Sequence, residues 1–454
     1  MSETWIVGGA LRDELLGRPV RDVDVAVAGD PEPVARTLAN EVGGPVFRLS
    51  EAFGAWRVID RRGGRVWDFA PLQGETIEED LGRRDFTVNA MARPVERLEL
   101  AAGELVDPLG GRADLAARVL RVLGPEAYER DPLRPLRLAR FAAELGFAPD
   151  PETERLTAAA APRVAEAAGE RVFGELRRLV IADGALGGLE LADRLGLLRP
   201  VLPEVAELHD VEQSQYHHLD VYDHTLEVLA RAIELEGRLE ELFGPDAGRL
   251  RGILDEQLAD ELTRAQALRF GALLHDVGKP ATRDVRPDGR VTFMGHDRLG
   301  ERMVRAVCRR LRTSERLARF IEGLTRHHLV LGFLVHERPL DRRRIYAYLA
   351  RTSPVEVEVT LLSCADRLAT RGRRADEATR AHLELARELM HAALDWREHG
   401  PPAVPIRGDE LARELGIEPG PELGRLLAEL TEAAYAGEVT TRDEAVAVAR
   451  RLSA

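Results

Sequence analysis

The spacing of apolar residues changes along this chain. Near the start, Trp5-Ile6-Val7 form a short continuous apolar run, and from Asp22 to Val27 apolar residues alternate with Asp22 and Asp24. A period of two is that of a half-buried strand. Between these runs, the stretch from Ala10 to Leu16 follows the pair Gly8-Gly9 and has a helical pattern. Arg65-Val66-Trp67-Asp68-Phe69 alternates again before the turn at Pro71. Beyond residue 129 the pattern becomes helical: Glu129 to Phe147 carries apolar positions at helix spacing, with Arg134, Arg137 and Arg140 on one side. Residues 145–205 read as helices rich in Ala and Leu, with breaks at Pro149-Asp150-Pro151, Pro162, Gly184 and Gly187-Gly188. Turns are expected at Gly244-Pro245-Asp246, at Arg286-Pro287-Asp288-Gly289 as a hairpin, and at His399-Gly400-Pro401-Pro402. These patterns place strands near the N-terminus and helices over most of the remainder.

Asp22 and Asp24 are two residues apart on a predicted strand, so both carboxylates project from one surface. Paired acids of this kind can hold divalent ions that activate a hydroxyl and stabilise a leaving pyrophosphate. Gly8 and Gly9 precede a helix, where a backbone without Cβ atoms can approach phosphates closely.

Gly8-Gly9, Arg12-Asp13, Gly17 and the acids Asp22 and Asp24, in this order and spacing, resemble the signature of the polymerase-β-like nucleotidyltransferases. The match is to the class II tRNA nucleotidyltransferase and bacterial poly(A) polymerase family, a resemblance that implies an α+β chain with a small N-terminal mixed sheet and an all-α remainder, divided as 1–122, 123–205, 206–398 and 399–454. It continues through R-R-D-F-T-V-N-A-M-A at 83–92, D-P-L-G-G-R-A-D-L at 107–115, E-R-D-P-L-R-P-L-R from Glu129 and E-R-V-F-G-E-L at 170–176. By this resemblance Asp22 and Asp24 bind two magnesium ions and Asp68 is a third acid of the metal site. Gly8, Gly9, Arg12, Arg84, Asp85 and Asn89 bind nucleotide, with Asp85 reading the ribose hydroxyl. Asp131 and Arg134 hydrogen-bond the edge of the incoming base in place of a template, with Arg137 and Arg140 following on the same helix. The family usually carries an acidic residue just before this aspartate, and here it is Arg130. Segment 107–115 is expected to be a hinge-like turn and 170–176 a structural helix without chemistry.

Histidines dominate the next region. His217, His218 and His224 lead an amphipathic stretch, A-L-L-H-D-V-G-K-P sets His275 beside Asp276, and Gly295-His296-Asp297, His327-His328 and Asp366 follow. Imidazoles and carboxylates from separate helices suit a metal that turns water into hydroxide. The order resembles the HD superfamily of metal-dependent phosphohydrolases. That resemblance implies His224, His275, Asp276 and Asp366 as ligands of a divalent ion, with His296 and His327 serving a second ion or a phosphate. Lys279 either reaches a phosphate or is solvated.

The 454 residues are 44% hydrophobic, enough for several cores and inconsistent with wholesale disorder. Two cysteines give no disulfide framework, no apolar run reaches membrane-span length, and no signal peptide is apparent, so a cytoplasmic protein is expected. The net charge of −14 is unusual for a nucleic-acid enzyme. Arginine concentrates at 130–178, 298–319 and 338–374, however, so a basic track on an acidic body is expected. The tail from residue 399 resembles the element that accompanies this pairing of domains, and Gly416, Gly420 and Gly424 are expected to interrupt its helices.

The function these readings imply is template-independent addition of CMP, AMP or both, from CTP and ATP, to the 3′ end of tRNA. A poly(A) polymerase, a protein acting chiefly as a phosphohydrolase, and a noncatalytic RNA-binding chaperone are the alternatives. Only A-P-L-Q-G-E-T-I-E-E-D-L-G (residues 70–82) separates Asp68-Phe69 from Arg83. It is shorter than the arginine-bearing loop usual in enzymes that add all of C-C-A, and Gln73 stands about where an arginine is common. This leaves C-C addition, slightly favoured, alongside A addition and whole-end addition.

Overall fold

A computed structural model describes residues 3–51, 54–95, 104–213, 219–370 and 375–453. His217 and His218 lie outside the described residues. The chain forms two units, Met1–Val201 and Leu202–Ala454.

In the first unit, the strands are β1 (Thr4–Val7), β2 (Asp22–Val27), β3 (Val46–Ser50), β4 (Ala55–Asp60), β5 (Arg65–Pro71) and β6 (Ala92–Pro94). They make one mixed sheet in the order β3-β4-β5-β2-β1-β6, with only β2 and β5 parallel. Helix α1 (Gly9–Leu15) links β1 to β2, α2 (Glu32–Val42) precedes β3, and the short α3 (Ile77–Leu81) follows β5. Their register aligns one crosswise row, Ala92, Val7, Asp24, Asp68, Arg57 and Phe47, a single residue from each strand. Aligned residues share a face, so this row defines the polar face of the sheet. Near β1 and β6 that face is covered by Ile77 and Leu81 of α3, which pack with Trp5, Val7, Ala26 and Ala92. The opposite face buries Val23, Val25, Val58, Trp67 and Phe69.

The helices α4 (Gly111–Ala117), α5 (Pro125–Arg130), α6 (Arg134–Leu145), α7 (Pro151–Ala160), α8 (Gly169–Ile181) and α9 (Ala185–Arg194) follow in the same unit. The predicted helix from Glu129 to Phe147 is broken, because Asp131 is extended with φ −146° and α6 begins only at Arg134. Pro132 causes this, since the residue before a proline is pushed out of the helical region. Gly187-Gly188 do not break their helix either: both lie inside α9. A Cβ at Gly188 would stand 2.7 Å from the Ala143 Cβ and 3.0 Å from the Ala139 carbonyl oxygen, so glycine there lets α9 approach α6.

In the second unit, helices Val221–Glu236, Arg264–Leu274, His296–Leu311, Glu315–His327 and Glu356–Ala369 surround a buried histidine and aspartate cluster. A capping box between Thr263 and Gln266 starts the second of these. The expected hairpin forms between Asp284–Val285 and Val291–Thr292. After the helix Ala375–His399, three short helices close around Leu411, Leu426, Leu430, Ala445 and Ala449. Gly416 and Gly420 flank them, but Gly424 lies within the helix Pro421–Ala436, contrary to expectation. No helix among the described residues is long and apolar enough to cross a membrane.

Candidate active site and candidate metal centre

A cleft of about 670 Å³ opens on the polar face of the N-terminal sheet. Gly8, Gly9, Arg12, Asp22, Asp24, Asp68, Arg84, Asp85, Asn89, Arg134, Arg137 and Arg140 all line it. Asp131 is not among the lining residues. It lies just before α6, where its carboxylate accepts from the Leu133 amide at 3.1 Å and from Arg171 at 2.8 Å.

On the cleft floor, Asp22 and Asp24 stay accessible at the start of β2, and Asp68 is directly opposite Asp24 on β5. Partial withdrawal of Asp24 from bulk water raises its carboxyl above the ordinary value; Arg84 opposes this, and the charges of Asp68 and Asp22 reinforce it. Asp68 is not free to join the other two. Both its oxygens are held by Arg57, Nε to Oδ1 at 2.7 Å and Nη2 to Oδ2 at 2.6 Å. Asp22, Asp24 and Asp68 do not bring one oxygen each within 4.8 Å of one another, as the ligand atoms of His224, His275 and Asp276 in the second unit do. An accessible carboxylate pair that leaves room for phosphate oxygens fits a hard divalent cation, which takes oxygen ligands and retains waters.

Gly8 is required by geometry. Its φ is +73°, and a Cβ there would stand 2.8 Å from Arg84 Nη1 and 3.5 Å from Asp24 Oδ2. The missing side chain lets the Arg84 guanidinium lie against the backbone beside the acids. Arg84 is held from behind by Asp80, Nη2 to Oδ2 at 3.0 Å.

Behind the floor, polar contacts run from the sheet into the helices. Arg12, buried, pairs with Asp13 at 2.9 Å and donates to Asn89 Oδ1 at 2.7 Å. Asn89 donates to Asp85 Oδ1 at 3.0 Å, and Asp85 Oδ2 accepts from Arg137 at 3.2 Å. Burial pushes the Asp85 carboxyl up, but Arg137, Asn89 and the Phe86 amide outweigh it and hold it below the usual range. Arg137 also donates to Glu175 Oε1 at 3.1 Å, and Arg140 pairs with the other oxygen of Glu175 and with Glu144 at 2.6 Å. Arg134 is a brace in this arrangement, donating to the carbonyl oxygens of Arg84 at 2.9 Å, Arg83 at 2.9 Å and Ala127 at 3.1 Å.

Sequence reasoning missed Arg57 and Glu175. Arg57 sits in an ordinary strand, and Glu175 belongs to a helix read as structural; the only signal for either is strand register or helix packing. The expected basic track is also interrupted, because Arg137, Arg140, Arg171 and Arg178 each face a carboxylate.

In the second unit, His224 Nε2 lies 3.1 Å from Asp366 Oδ1 and 3.8 Å from Asp276 Oδ2, and His275 Nε2 lies 3.0 Å from Asp276 Oδ2. On the other side of Asp276, Oδ1 is 3.3 Å from His296 Nε2 and 3.7 Å from His328 Nε2. His328, not His327, joins the cluster. Consecutive helical residues point about 100° apart, so only one of the pair can face Asp276. Burial and the nearby Arg326 and Arg351 push His327 down to about 4. His275, His296 and His328 each direct Nδ1 to the carbonyl three residues earlier, at 2.8, 2.7 and 2.7 Å. That fixes Nδ1 as the protonated nitrogen and leaves Nε2 as a lone-pair donor. The Nε2 atoms of His296 and His328 are 3.2 Å apart, a separation a shared cation would make favourable. Lys279 is neither solvated nor free for phosphate: Nζ is 2.6 Å from Asp276 Oδ2 and 2.7 Å from Gln213 Oε1.

Comparison with known proteins adds the following. Residues 4–121 match the poly A polymerase head domain, 146–208 the probable RNA and SrmB-binding site of polymerase A, and 221–371 the HD domain. An A-adding tRNA nucleotidyltransferase of Deinococcus radiodurans is 37% identical over 98% of this chain and 94% of its own length. A CC-adding tRNA nucleotidyltransferase of Thermus thermophilus is 35% identical over 98% of this chain and 92% of its own length. Among solved structures, the Thermotoga maritima CCA-adding enzyme complexed with tRNA matches with a TM-score of 0.61 at 21% identity, covering 100% of this chain and 92% of that one. This last likeness concerns the fold.

Glu175 is the shared anion of two arginines, so Glu175→Gln removes the negative charge at nearly constant shape. Losing one partner of a buried ion pair costs about 3 kcal/mol or more. A clear fall in the urea midpoint of the N-terminal unit is expected, read from the signal of its buried Trp5, Trp56 and Trp67; an unchanged midpoint refutes the clamp.

Proposed function

We propose, from the premise that this chain belongs to the tRNA nucleotidyltransferase family, that it adds nucleotides from CTP or ATP to the 3′ end of tRNA without a template. The observation that carries the reading is the row Asp24, Asp68, Arg57 on one sheet face, with Asp22 beside it and the cations of the helical part facing it. Asp22 and Asp24 hold divalent metal, with magnesium the ion proposed. When bound, the metal lowers the pKa of the attacking RNA hydroxyl and neutralises charge on the triphosphate. Gly8 gives the phosphates a close approach to backbone, and Arg84, fixed by Asp80, supplies positive charge on the same side. Asp85 and Asn89 are held by Arg137 and Arg12 at the site proposed for the ribose. Arg134 and Asp131 stand at the base edge, and for Asp131 to reach a base it must exchange its Arg171 partner. The transfer depends mainly on positioning and electrostatics, as phosphoryl transfers do.

We further propose that the enzyme adds one portion of C-C-A, either C-C or the terminal A. Support comes from the segment after Asp68, which is fully occupied by local structure. Gln73 and Glu75 donate backbone amides to Asp80 and Glu79, and Thr76 caps α3. No length is left for an arginine-bearing loop. Two relatives of high coverage carry A-adding and CC-adding names.

A second reading belongs to the HD cluster. Nε2 donors converging on Asp276, with Asp366 beside His224, support a divalent-metal site suited to phosphoester hydrolysis.

Incorporation of CTP and ATP, separately and together, into tRNA transcripts ending before C-C-A, after one C and after C-C tests the main reading. Addition of only C-C, or only A onto C-C ends, is expected; complete C-C-A synthesis overturns the partial-end proposal. Long A tails on unrelated RNAs would instead identify a poly(A) polymerase. Asp24→Asn should lower incorporation about 10³-fold or more, the loss of several kcal/mol of transition-state stabilisation.

Metal analysis tests the second reading. After loading with Mn²⁺ and desalting, the full chain should retain about one more equivalent than Asp276→Ala, because removing the central carboxylate abolishes a site that needs every ligand. Equal metal content in the two proteins excludes it.

A further inference from the structure

The polar row of the N-terminal sheet continues past its acids. From Asp24 it passes through Asp68 and Arg57 to Phe47, on the edge strand β3. The two ends of this face differ. Near β1 and β6 it is covered by Ile77 and Leu81, whereas Phe47 is 43% exposed and the Arg57 side chain 35% exposed. On the reverse face of the same strands Trp56 and Val58 are buried, and Arg36 and Arg48 lie over the Trp56 ring. The sheet thus buries the reverse side of β4 and, on the edge strand β3 where Arg48 and Leu49 are exposed as well, leaves an aromatic ring in solvent on the side that bears the acids. A single exposed Phe is common on protein surfaces. This one stands in line with the catalytic carboxylates, one strand beyond an arginine.

The direction of reaction says what belongs there. In-line displacement places the attacking hydroxyl opposite the leaving group. The phosphate-binding elements, Gly8 and Arg84, lie at the β1 side of Asp24, with Arg137 reaching Asp85 behind them. The acceptor must therefore come from the β5, β4 and β3 side. Phe47 is three strand spacings from Asp24, about 14 Å, the span of a few nucleotides. Arg57 is between them, its Nε and Nη2 committed to Asp68 and its Nη1 turned away from that pair.

Resting on the nucleotidyltransferase reading above, we propose that Phe47 and Arg57 form a subsite for the 3′-terminal nucleotides of the RNA acceptor. Phe47 stacks on a base just upstream of the 3′ end, and Arg57 Nη1 donates to a phosphate of the same strand. Asp68 fixes the guanidinium for that contact and is a positioning residue, not a third metal ligand. Stacking suits this place because every base has a face to offer, so the subsite holds the strand while its terminal sequence changes.

The test uses the full-length protein with Phe47→Ala, Phe47→Trp and Arg57→Gln, and two readouts. The first is binding of a fluorescently labelled tRNA transcript without nucleotide; the second is steady-state incorporation. Phe47→Ala should weaken RNA binding and raise the KM for RNA about tenfold, with the KM for CTP or ATP changed less than twofold, and Phe47→Trp should restore both. Arg57→Gln should weaken RNA binding and reduce its salt dependence by about one phosphate contact. RNA binding that is equal for wild type and Phe47→Ala, or a KM change confined to the nucleotide, overturns the subsite. A wild type that binds RNA through Phe47 yet incorporates nothing would keep the subsite and refute the proposed transfer; an active wild type indifferent to Phe47 would do the reverse.

Discussion

Asp24 and Asp68 stand side by side on parallel neighbouring strands, and two like charges one strand spacing apart repel. The N-terminal unit is organised around that repulsion. Arg57, next in register, takes both oxygens of Asp68, which removes one charge from the problem and leaves Asp24 and Asp22 facing the cleft. Arg84 approaches Asp24 only because Gly8 has no side chain. What remains is a carboxylate pair, partly withdrawn from water and with Asp24 raised in pKa, a state that a divalent cation stabilises and a bare protein does not. The parallel pairing of β2 with β5 is the one departure from an otherwise antiparallel sheet, and it is the pairing that brings the acids together.

Behind the acids, the cleft's positive side is ordered rather than merely present. Arg12, Asn89, Asp85, Arg137, Glu175, Arg140 and Glu144 follow one another in continuous hydrogen bonds and ion pairs. In partly buried surroundings such chains reinforce each other, and leaving any one member unpaired is costly. Arginines locked in this way cannot relax toward whichever anion arrives; they present a fixed pattern of donors. A chain with net charge −14 thus carries a cleft lined by Arg12, Arg84, Arg134, Arg137 and Arg140. The charge is local, and even there arginines such as Arg137, Arg140 and Arg178 are matched by acids.

Local patterns made the sheet and the acids legible. Alternation over Asp22–Val27 and Arg65–Phe69 placed two strands and put Asp22 and Asp24 on one face, and the glycine pair marked a close approach, which in this structure is that of the Arg84 side chain to Gly8. What sequence spacing could not supply was the partner of each charge. The Arg57 pairing depends on antiparallel register between β4 and β5, and the Glu175 pairing on α6 packing against α8, both nonlocal. Helix breaks were misjudged for related reasons. Pro132 ends a helical pattern that its neighbours would continue, while Gly187 and Gly188 look like breaks but lie inside a helix, where Gly188 serves close packing against Ala139 and Ala143. The choice between His327 and His328 turns on a single 100° step, which amphipathic periodicity read from one sequence does not fix.

The histidine cluster follows a different logic from the cleft. Its imidazoles are oriented by their own helices, since Nδ1 of His275, His296 and His328 each binds the carbonyl three residues back. Nothing outside the local turn is needed to aim them, so the cluster depends on helix placement alone, whereas the cleft depends on long-range ion pairs. Burial pushes His328 down to about 3, and the opposing negative charge of Asp276 does not offset it. His275 moves the other way: burial pushes it down, but the charge of Asp276 outweighs this and raises it, while His275 and Lys279 hold the buried Asp276 carboxyl well below its usual range. Lys279, 2.6 Å from Asp276 and 2.7 Å from Gln213 Oε1, supplies the nearest positive charge to this buried carboxylate, so the one contact that helix turns do not set is a long-range one, as in the cleft.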